Sequence, residues 1–281
     1  MGYIMSRDGT RIRYESAGTG PPVVLVGGAL TSRTFGVNVS LAKNLASQFT
    51  VYSYDRRGRG DSGDNPPYEV RKEIEDIEAV IAAAGGHACL YGISSGAILA
   101  LEAACALPRM VNKLALYEPS CIVDGTRPPV PADAADVVAR LVGSGQRGAV
   151  VRLFLADYSQ VPPAFVAMLR LMPPWRQLKA VAHTVRYDLA IMAGLQQGKP
   201  LPAGRWTGLR APVLVIAGGK SPAWLKNAAD AVASAVPGAD FRLLDGQTHV
   251  VRGKALAPVL AGFYREDGAF PAEAGQGSPS S

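Results

Sequence analysis

The feature that most constrains the fold of this chain is a regular alternation of short apolar segments with segments of helical periodicity. Residues 22–27 (PVVLVG) form a continuous apolar run, as expected for a strand buried on both faces of a sheet. Residues 68–84 instead repeat apolar side chains at helical spacing and are followed by a Gly-Gly helix stop. The alternation predicts an α/β fold with a mostly parallel, doubly wound sheet.

Between residues 122 and 209 the alternation stops, prolines cluster and no strand is evident. We interpret this segment as a helical lid inserted into an α/β core of residues 1–121 and 210–266. Residues 267–281 are rich in Gly, Pro and Ser, which is typical of a disordered tail. The predicted strands are 3–7, 11–16, 22–27, 49–54, 87–93, 113–118, 212–217 and 240–244. The predicted helices are 32–47, 68–84, 95–107, 134–141, 150–158, 164–171, 222–235 and 255–263.

The composition is that of a globular protein, since 48% of the 281 residues are apolar and 19% are charged. No run approaches the roughly 18 apolar residues of a membrane-spanning helix. Charges near the N-terminus disfavour a signal peptide. Cys89, Cys105 and Cys121 are far apart, lie in apolar runs and fit no zinc-binding spacing. We therefore expect a cytoplasmic protein with reduced thiols.

The net charge of +6 could indicate a nucleic-acid partner. The basic residues are scattered, however, and the only dense cluster is Arg56, Arg57 and Arg59. No aromatic residues interleave with that cluster, so a solvated basic surface is the better interpretation, and neither nucleic acid nor membrane is expected as a partner. Because charged turns after a strand usually form ion pairs, we expect this turn and the preceding Asp55 to be structural.

The strongest chemical signal is Gly92-Ile93-Ser94-Ser95-Gly96, which lies between a predicted strand and a predicted helix. A G-x-S-x-G motif in that context indicates a nucleophile elbow, a strained turn that projects the serine hydroxyl from the sheet. Glycines flank the serine because the backbones crowd there. As the structural alternative, Ser94 would only cap the helix that follows.

With this motif, the chain resembles the α/β-hydrolase superfamily over nearly its whole length except the tail. Residues 24–29 (VLVGGA) stand where the family has its oxyanion loop, and residues 55–62 (DRRGRGDS) resemble its D-x-R-G-x-G-x-S turn. Residues 246–249 (GQTH) follow the last strand, where the family keeps its histidine. The resemblance implies that Ser94 is the nucleophile and His249 the general base.

The positions of the three histidines favour the same base. A serine hydroxyl is a weak nucleophile until a neighbouring base takes its proton. His87 opens a strand and His183 lies in the lid, whereas His249 follows a strand at the sheet edge where α/β proteins place their sites. His183 could instead project from the lid into the pocket.

An oxyanion hole needs two N–H groups aimed at the developing negative charge. In the elbow geometry one comes from the residue after the nucleophile, Ser95. The other is expected from Ala29, although Gly27 stands where the family usually has histidine. The residues predicted to contact substrate are Gly28, Leu30, His183 and Trp224.

The acid of the triad departs from the family pattern. The family usually carries Asp shortly after the strand at 212–217, but residues 218–224 read GGKSPAW. The superfamily's other position is the end of the strand after the elbow helix, which here carries Glu118, as in lactonases acting on the zearalenone ring and some haloalkane dehalogenases. Glu118 would orient His249 and stabilise its cation. Alternatively it only bonds backbone N–H groups, and Asp124 and Asp188 are weaker candidates for the acid.

These residues predict a serine hydrolase that cleaves an ester or lactone of a small, fairly apolar molecule through an acyl-enzyme. Epoxide hydrolases and haloalkane dehalogenases of this family need an Asp nucleophile, so Ser94 argues against both. The alternatives are a non-hydrolytic or C–C bond-cleaving enzyme of small-molecule biosynthesis on the same scaffold, and a binding protein with slow turnover. No metal or organic cofactor is expected, and the sequence leaves the substrate and the oligomeric state open.

Overall fold

A computed structural model describes residues 2–265, so the predicted tail at 267–281 lies outside the described residues. Within residues 2–265, eight strands form one sheet in the order β1-β2-β4-β3-β5-β6-β7-β8. Only the pairs β1–β2 and β2–β4 are antiparallel, and every other neighbouring pair is parallel. The strands are β1 (Gly2–Met5), β2 (Arg11–Ala17), β3 (Pro22–Val26), β4 (Thr50–Tyr54), β5 (Ala88–Ile93), β6 (Val111–Tyr117), β7 (Val213–Gly218) and β8 (Asp240–Leu244).

Helices cover both faces of the sheet, which explains why the central strands are continuously apolar. Buried side chains of α2, α3 and α9 pack on one face, and those of α1 and α10 pack on the other. The predicted α/β fold with a mostly parallel, doubly wound sheet is therefore confirmed. These helices are α1 (Val37–Leu45), α2 (Val70–Ala83), α3 (Ser95–Ala106), α9 (Ala223–Ala235) and α10 (Gly253–Arg265).

The segment between β6 and β7 is helical, as predicted, and we refer to residues 122–209 as the lid. The prediction missed α7 and α8, which are short and follow prolines or a 3₁₀ turn. The predicted helix at 150–158 is a short α-helix that continues as a π-helix over Leu153–Tyr158. The lid helices are α4 (Ala134–Gly143), α5 (Arg147–Arg152), α6 (Pro163–Leu169), α7 (Pro174–Val181) and α8 (Val185–Ile191).

The first helix begins later than predicted, at Val37 instead of residue 32. Ser32 and Phe35 exchange backbone hydrogen bonds, and Gly36 has a φ of 119°, so the chain turns before it can enter the helix. The extra loop follows β3 at the carboxyl edge of the sheet, where the candidate site lies. Within residues 2–265, no helix is long and apolar enough to span a membrane.

Candidate active site

The elbow lies between β5 and α3, with Ser94 at φ 60° and ψ −127°. A Cβ atom on Gly92 would lie 2.4 Å from the carbonyl oxygen of Gly96, and one on Gly96 would lie 2.5 Å from the carbonyl oxygen of Gly27. Real Cβ atoms do not approach other atoms so closely, so both positions require glycine. The spacing of the motif therefore follows from the crowding of β3, β5 and α3.

The hydroxyl of Ser94 has a neighbour that the sequence did not indicate. Its Oγ lies 2.8 Å from the Oγ of Ser120, a buried residue two positions after Glu118. Among the hydrogen bonds of residues 2–265, none joins Ser94 to His249. Hydrogen bonds between a nucleophile and its base are often long or misaligned before substrate binds, so a direct contact between Ser94 and His249 is not required in the free protein.

Glu118 and His249 are in direct contact. The Nδ1 atom of His249 lies 2.6 Å from Oε2 of Glu118, and the other carboxylate oxygen accepts the N–H of Gly218 at 2.7 Å. Glu118 is fully buried and has a φ of 45°, whereas the His249 side chain is 39% exposed. The hydroxyl of Tyr117 donates to the carbonyl of Thr248 and so fixes the loop that carries the imidazole.

The end of β7 supplies a backbone donor to the Glu118 carboxylate. Gly218 donates its N–H to Glu118, and a Cβ atom on Gly218 would lie 2.5 Å from the carbonyl oxygen of Gln247. The two weaker candidates for the acid contact other groups: Asp124 is half-buried and bonds Thr126 and Asn227, while Asp188 is buried against arginines.

The loop after β3 lies against the elbow. A Cβ atom on Gly28 would lie 2.9 Å from the carbonyl oxygen of Ile93 and 3.0 Å from the Cβ of Ser94, so glycine is needed there for the loop to approach. The carbonyl of Gly28 accepts hydrogen bonds from Thr31 at 2.8 Å and from Arg59 at 2.6 Å. The hydrogen bonds of the described residues include none donated by the Ala29 N–H. The N–H of Ser95, at the start of α3, has no partner within the helix.

The basic cluster after β4 is buried, so it is not part of the solvated basic surface suggested by the net charge, whereas its ion pairs agree with the expectation that this turn is structural. Each of its three arginines is at most 2% exposed. Each guanidinium is neutralised by a buried carboxylate from another element, so the charges hold elements together and do not face an external partner. The pairs are Arg56 with Glu73 and Asp188, Arg57 with Asp76, and Arg59 with Asp188, with N···O distances of 2.6–2.7 Å.

The remaining predicted substrate contacts lie in different surroundings. Leu30 is 3% exposed, has a φ of 58° and packs in the apolar core of the lid. His183 lies near Gly58 and Arg147, and its burial, followed by the positive charge of Arg147, lowers its pKa. Trp224 is half-buried under the guanidinium of Arg127, 4.5 Å from the ring centre. Of the four predicted substrate contacts, Gly28 is thus the one that lies directly beside Ser94.

No group of three or more potential metal-ligating side chains occurs within residues 2–265. A cavity of about 700 Å³ lies within the lid, between α5 and α7, and its walls include Arg147, Arg152, Trp175 and Lys179. None of the predicted site residues lines this cavity. It is therefore separate from the groups around Ser94.

Comparison with known proteins identifies the family. Residues 23–260 match the model of the alpha/beta hydrolase family. The crystal structure of an alpha/beta hydrolase from Sphaerobacter thermophilus is 46% identical, has a TM-score of 0.87, and the match covers 94% of this chain and all of that one. An enol-lactonase from Burkholderia xenovorans shares the fold at 20% identity, with a TM-score of 0.65 and coverage of 93% and 96% of the two chains.

Two curated relatives are more distant. The uncharacterized hydrolase YraK of Bacillus subtilis is 32% identical over 116 residues, which are 40% of this chain and 42% of YraK. The polyketide synthase ThaQ of Burkholderia thailandensis is 28% identical over 273 residues, which are 92% of this chain. The chain spans only 12% of the length of ThaQ.

Proposed function

Because this chain belongs to the alpha/beta hydrolase family, we propose that it is a serine hydrolase that cleaves a carboxylic ester or lactone of a small, fairly apolar molecule. The observation that carries the proposal is the 2.6 Å contact between His249 Nδ1 and the buried carboxylate of Glu118, on the same sheet edge as the elbow serine. A base oriented by an acid and placed near a strained serine is the arrangement that acyl transfer requires.

In the first half of the reaction, the Ser94 hydroxyl turns from Ser120 to Nε2 of His249, which takes its proton as Oγ attacks the substrate carbonyl. Glu118 accepts the Nδ1–H of His249, which keeps Nε2 free as the acceptor and stabilises the imidazolium. The N–H groups of Ala29 and Ser95 donate to the negative oxygen of the tetrahedral intermediate.

The intermediate collapses when the C–O bond to the leaving alcohol breaks and His249 gives its proton to that oxygen. The acyl group remains on Ser94. In the second half, His249 takes a proton from water, the water oxygen attacks the acyl carbon, and the acid product leaves as the proton returns to Ser94. In a lactone, both products are parts of one molecule. The scheme uses no metal or organic cofactor.

A fluorophosphonate probe tests the proposal, because it labels a serine only where a base activates the hydroxyl. We expect one probe molecule per chain, located on the peptide that contains Ser94, and no labelling of Ser94→Ala. Ester hydrolysis is then measured with p-nitrophenyl acetate and butyrate. An unlabelled parent protein would contradict the proposal and favour a binding protein with slow turnover.

The similarity to ThaQ over most of this chain favours a second candidate, a carbonyl-directed enzyme of small-molecule biosynthesis that uses Ser94 without net ester hydrolysis. The two candidates differ in one outcome. A protein that the probe labels stoichiometrically, but that hydrolyses no simple ester or lactone, would favour the biosynthetic enzyme over the hydrolase.

We also propose that the protein acts in the cytoplasm on a small-molecule substrate. Its three cysteines are free thiols, and Cys89 and Cys121 are buried in the core. Free buried thiols are typical of proteins from reducing compartments.

A further inference from the structure

The two donors of the proposed oxyanion hole come from separate segments, the loop after β3 and the start of α3. Donors of this kind have to be held to within about half an ångström of the productive geometry. We infer that Asp188, a carboxylate of the lid helix α8, is the residue that positions both. The inference rests on the proposed function, because it concerns the same site.

The first donor is oriented through its own peptide group. The carbonyl of Gly28 and the N–H of Ala29 belong to one peptide, and in a planar trans peptide they point in opposite directions. Nη1 of Arg59 donates to the Gly28 oxygen at 2.6 Å, in a buried position. The guanidinium thereby fixes the plane of the peptide and so the direction of the Ala29 N–H. Its charge also polarises the peptide and strengthens that donor.

Asp188 holds the guanidinium in place. Its Oδ2 accepts Nη2 of Arg59 at 2.7 Å, and its Oδ1 accepts Nη1 of Arg56 at 2.7 Å. The same nitrogen of Arg56 also reaches the carbonyl oxygen of Gly27 at 3.2 Å. Two successive carbonyls of the loop are thus bound by arginines that share one carboxylate.

The second donor is tied to the same carboxylate. The side-chain hydroxyl of Ser95 donates to Oδ1 of Asp188 at 2.8 Å, which anchors the first residue of α3. Asp188 is fully buried, and so is Ser95. A single lid residue therefore connects both segments that supply donors, and the lid and the oxyanion hole form one unit.

The relationship predicts a particular kinetic defect. The donors act on the oxygen that becomes negative in the transition state, so misplacing them lowers kcat and leaves substrate binding nearly unchanged. A residue that only stabilises the fold would instead lower the amount of folded enzyme, without changing kcat per folded molecule.

The test compares Asp188→Asn and Arg59→Lys with the matched control Asp76→Asn. Lysine keeps the charge at position 59 but lacks the fork that reaches Gly28 and Asp188 together. Asp76 forms an equally buried ion pair with Arg57. The guanidinium of Arg57 also bonds Asp8 and the carbonyl of Lys72, and it does not reach the oxyanion loop. If Asp188→Asn does not fold, Arg59→Lys is compared with Asp76→Asn alone.

The measurements are kcat and KM for p-nitrophenyl butyrate, the melting temperature, and the affinity for an alkyl trifluoromethyl ketone, which forms a negatively charged tetrahedral adduct with an activated serine. We expect Asp188→Asn and Arg59→Lys to lower both kcat and ketone affinity by about a hundredfold, the loss typical of one oxyanion donor, with KM within about threefold. Asp76→Asn should lower the melting temperature while its kcat stays close to that of the parent.

Two results would overturn the inference. One is a folded Asp188→Asn or Arg59→Lys protein with kcat and ketone affinity within about threefold of the parent. The other is a loss of activity that parallels the fall in melting temperature and is as large in Asp76→Asn as in Asp188→Asn and Arg59→Lys. The proposed function fails separately, because the parent protein would then react with neither the fluorophosphonate nor the ketone.

Discussion

The Nδ1 atom of His249 lies 2.6 Å from the Oε2 atom of Glu118, although the two residues are 131 positions apart in the chain. Glu118 follows β6 directly, and His249 follows β8, so both stand at the carboxyl edge of the sheet. The buried carboxylate is held by the N–H of Gly218, at the end of the intervening strand β7. This arrangement makes the function of Glu118 open to direct tests.

Glu118→Gln should lower ester turnover by up to about ten-thousandfold, as the Asp-to-Asn change does in the serine protease triad. Where the amide nitrogen faces the ring, Nδ1 must accept a hydrogen bond, so the proton moves to Nε2 and that atom can no longer accept from Ser94. Asp124→Asn is the control and should keep turnover near that of the parent, because Asp124 bonds Thr126 and Asn227 and makes no contact with His249. Equal kcat values for both variants would exclude Glu118 as the orienting acid.

Ser94→Ala should abolish ester turnover, with a loss of roughly a million-fold, while leaving the fold intact. Ser120→Ala is a matched control because it removes a hydroxyl 2.8 Å away. The lost hydrogen bond is worth about 1 kcal/mol, so kcat should change by less than about tenfold. Turnover by Ser94→Ala within about tenfold of the parent would show that Ser94 is not the nucleophile.

His249→Ala should be about as damaging as Ser94→Ala, because the two residues act as one unit. His183→Ala should alter KM or do little, since His183 lies near Gly58 and Arg147. Steady-state kinetics on p-nitrophenyl esters separates the two. The opposite ranking would make the lid histidine the base.

Several of these relationships follow from local sequence patterns. The elbow is predictable because Gly92 and Gly96 are required by crowding around one turn, and β5 and α3 on either side have clear periodicities. Glu118 and His249 could be placed at one sheet edge because each follows a strand. Their catalytic roles stay predictions.

Other features could not be predicted because they depend on pairs far apart in the chain. Arg59 and Asp188 are separated by 129 residues, and nothing near either one indicates the partner. The sequence of an arginine cluster does not show whether the cluster is solvated or buried. Here the cluster is buried because carboxylates of α2 and α8 pair with it. The contact of Ser120 with Ser94 likewise depends on how the chain turns after Glu118.

The stability of the protein should depend on pH through His183. Burial, together with the charge of Arg147, lowers the pKa of this imidazole below the ordinary 6.5. As the pH falls, His183 is therefore protonated in the unfolded chain before it is protonated in the folded protein. The contribution of His183 to the stability of the folded state is fully present above about pH 6.5 and is lost as the pH falls towards the lower pKa of the folded state.

The measurement is the melting temperature at pH 7.5 and pH 5.0 for the parent protein and for His183→Asn. The melting temperature of the parent should fall more between pH 7.5 and pH 5.0 than that of the variant, which has no titrating group at this position. An identical loss in both proteins would show that the titration of His183 does not contribute.

Rapid mixing with p-nitrophenyl acetate tests whether Ser94 forms an acyl-enzyme. If deacylation is the slower half of the reaction with this activated ester, p-nitrophenol appears in a burst whose amplitude equals the enzyme concentration, and acid quenching yields protein heavier by one acetyl group on the Ser94 peptide. Ser94→Ala should show neither. Turnover by the parent protein with no acetyl group trapped on Ser94 under any quench would show that the reaction does not pass through an acyl-enzyme on Ser94.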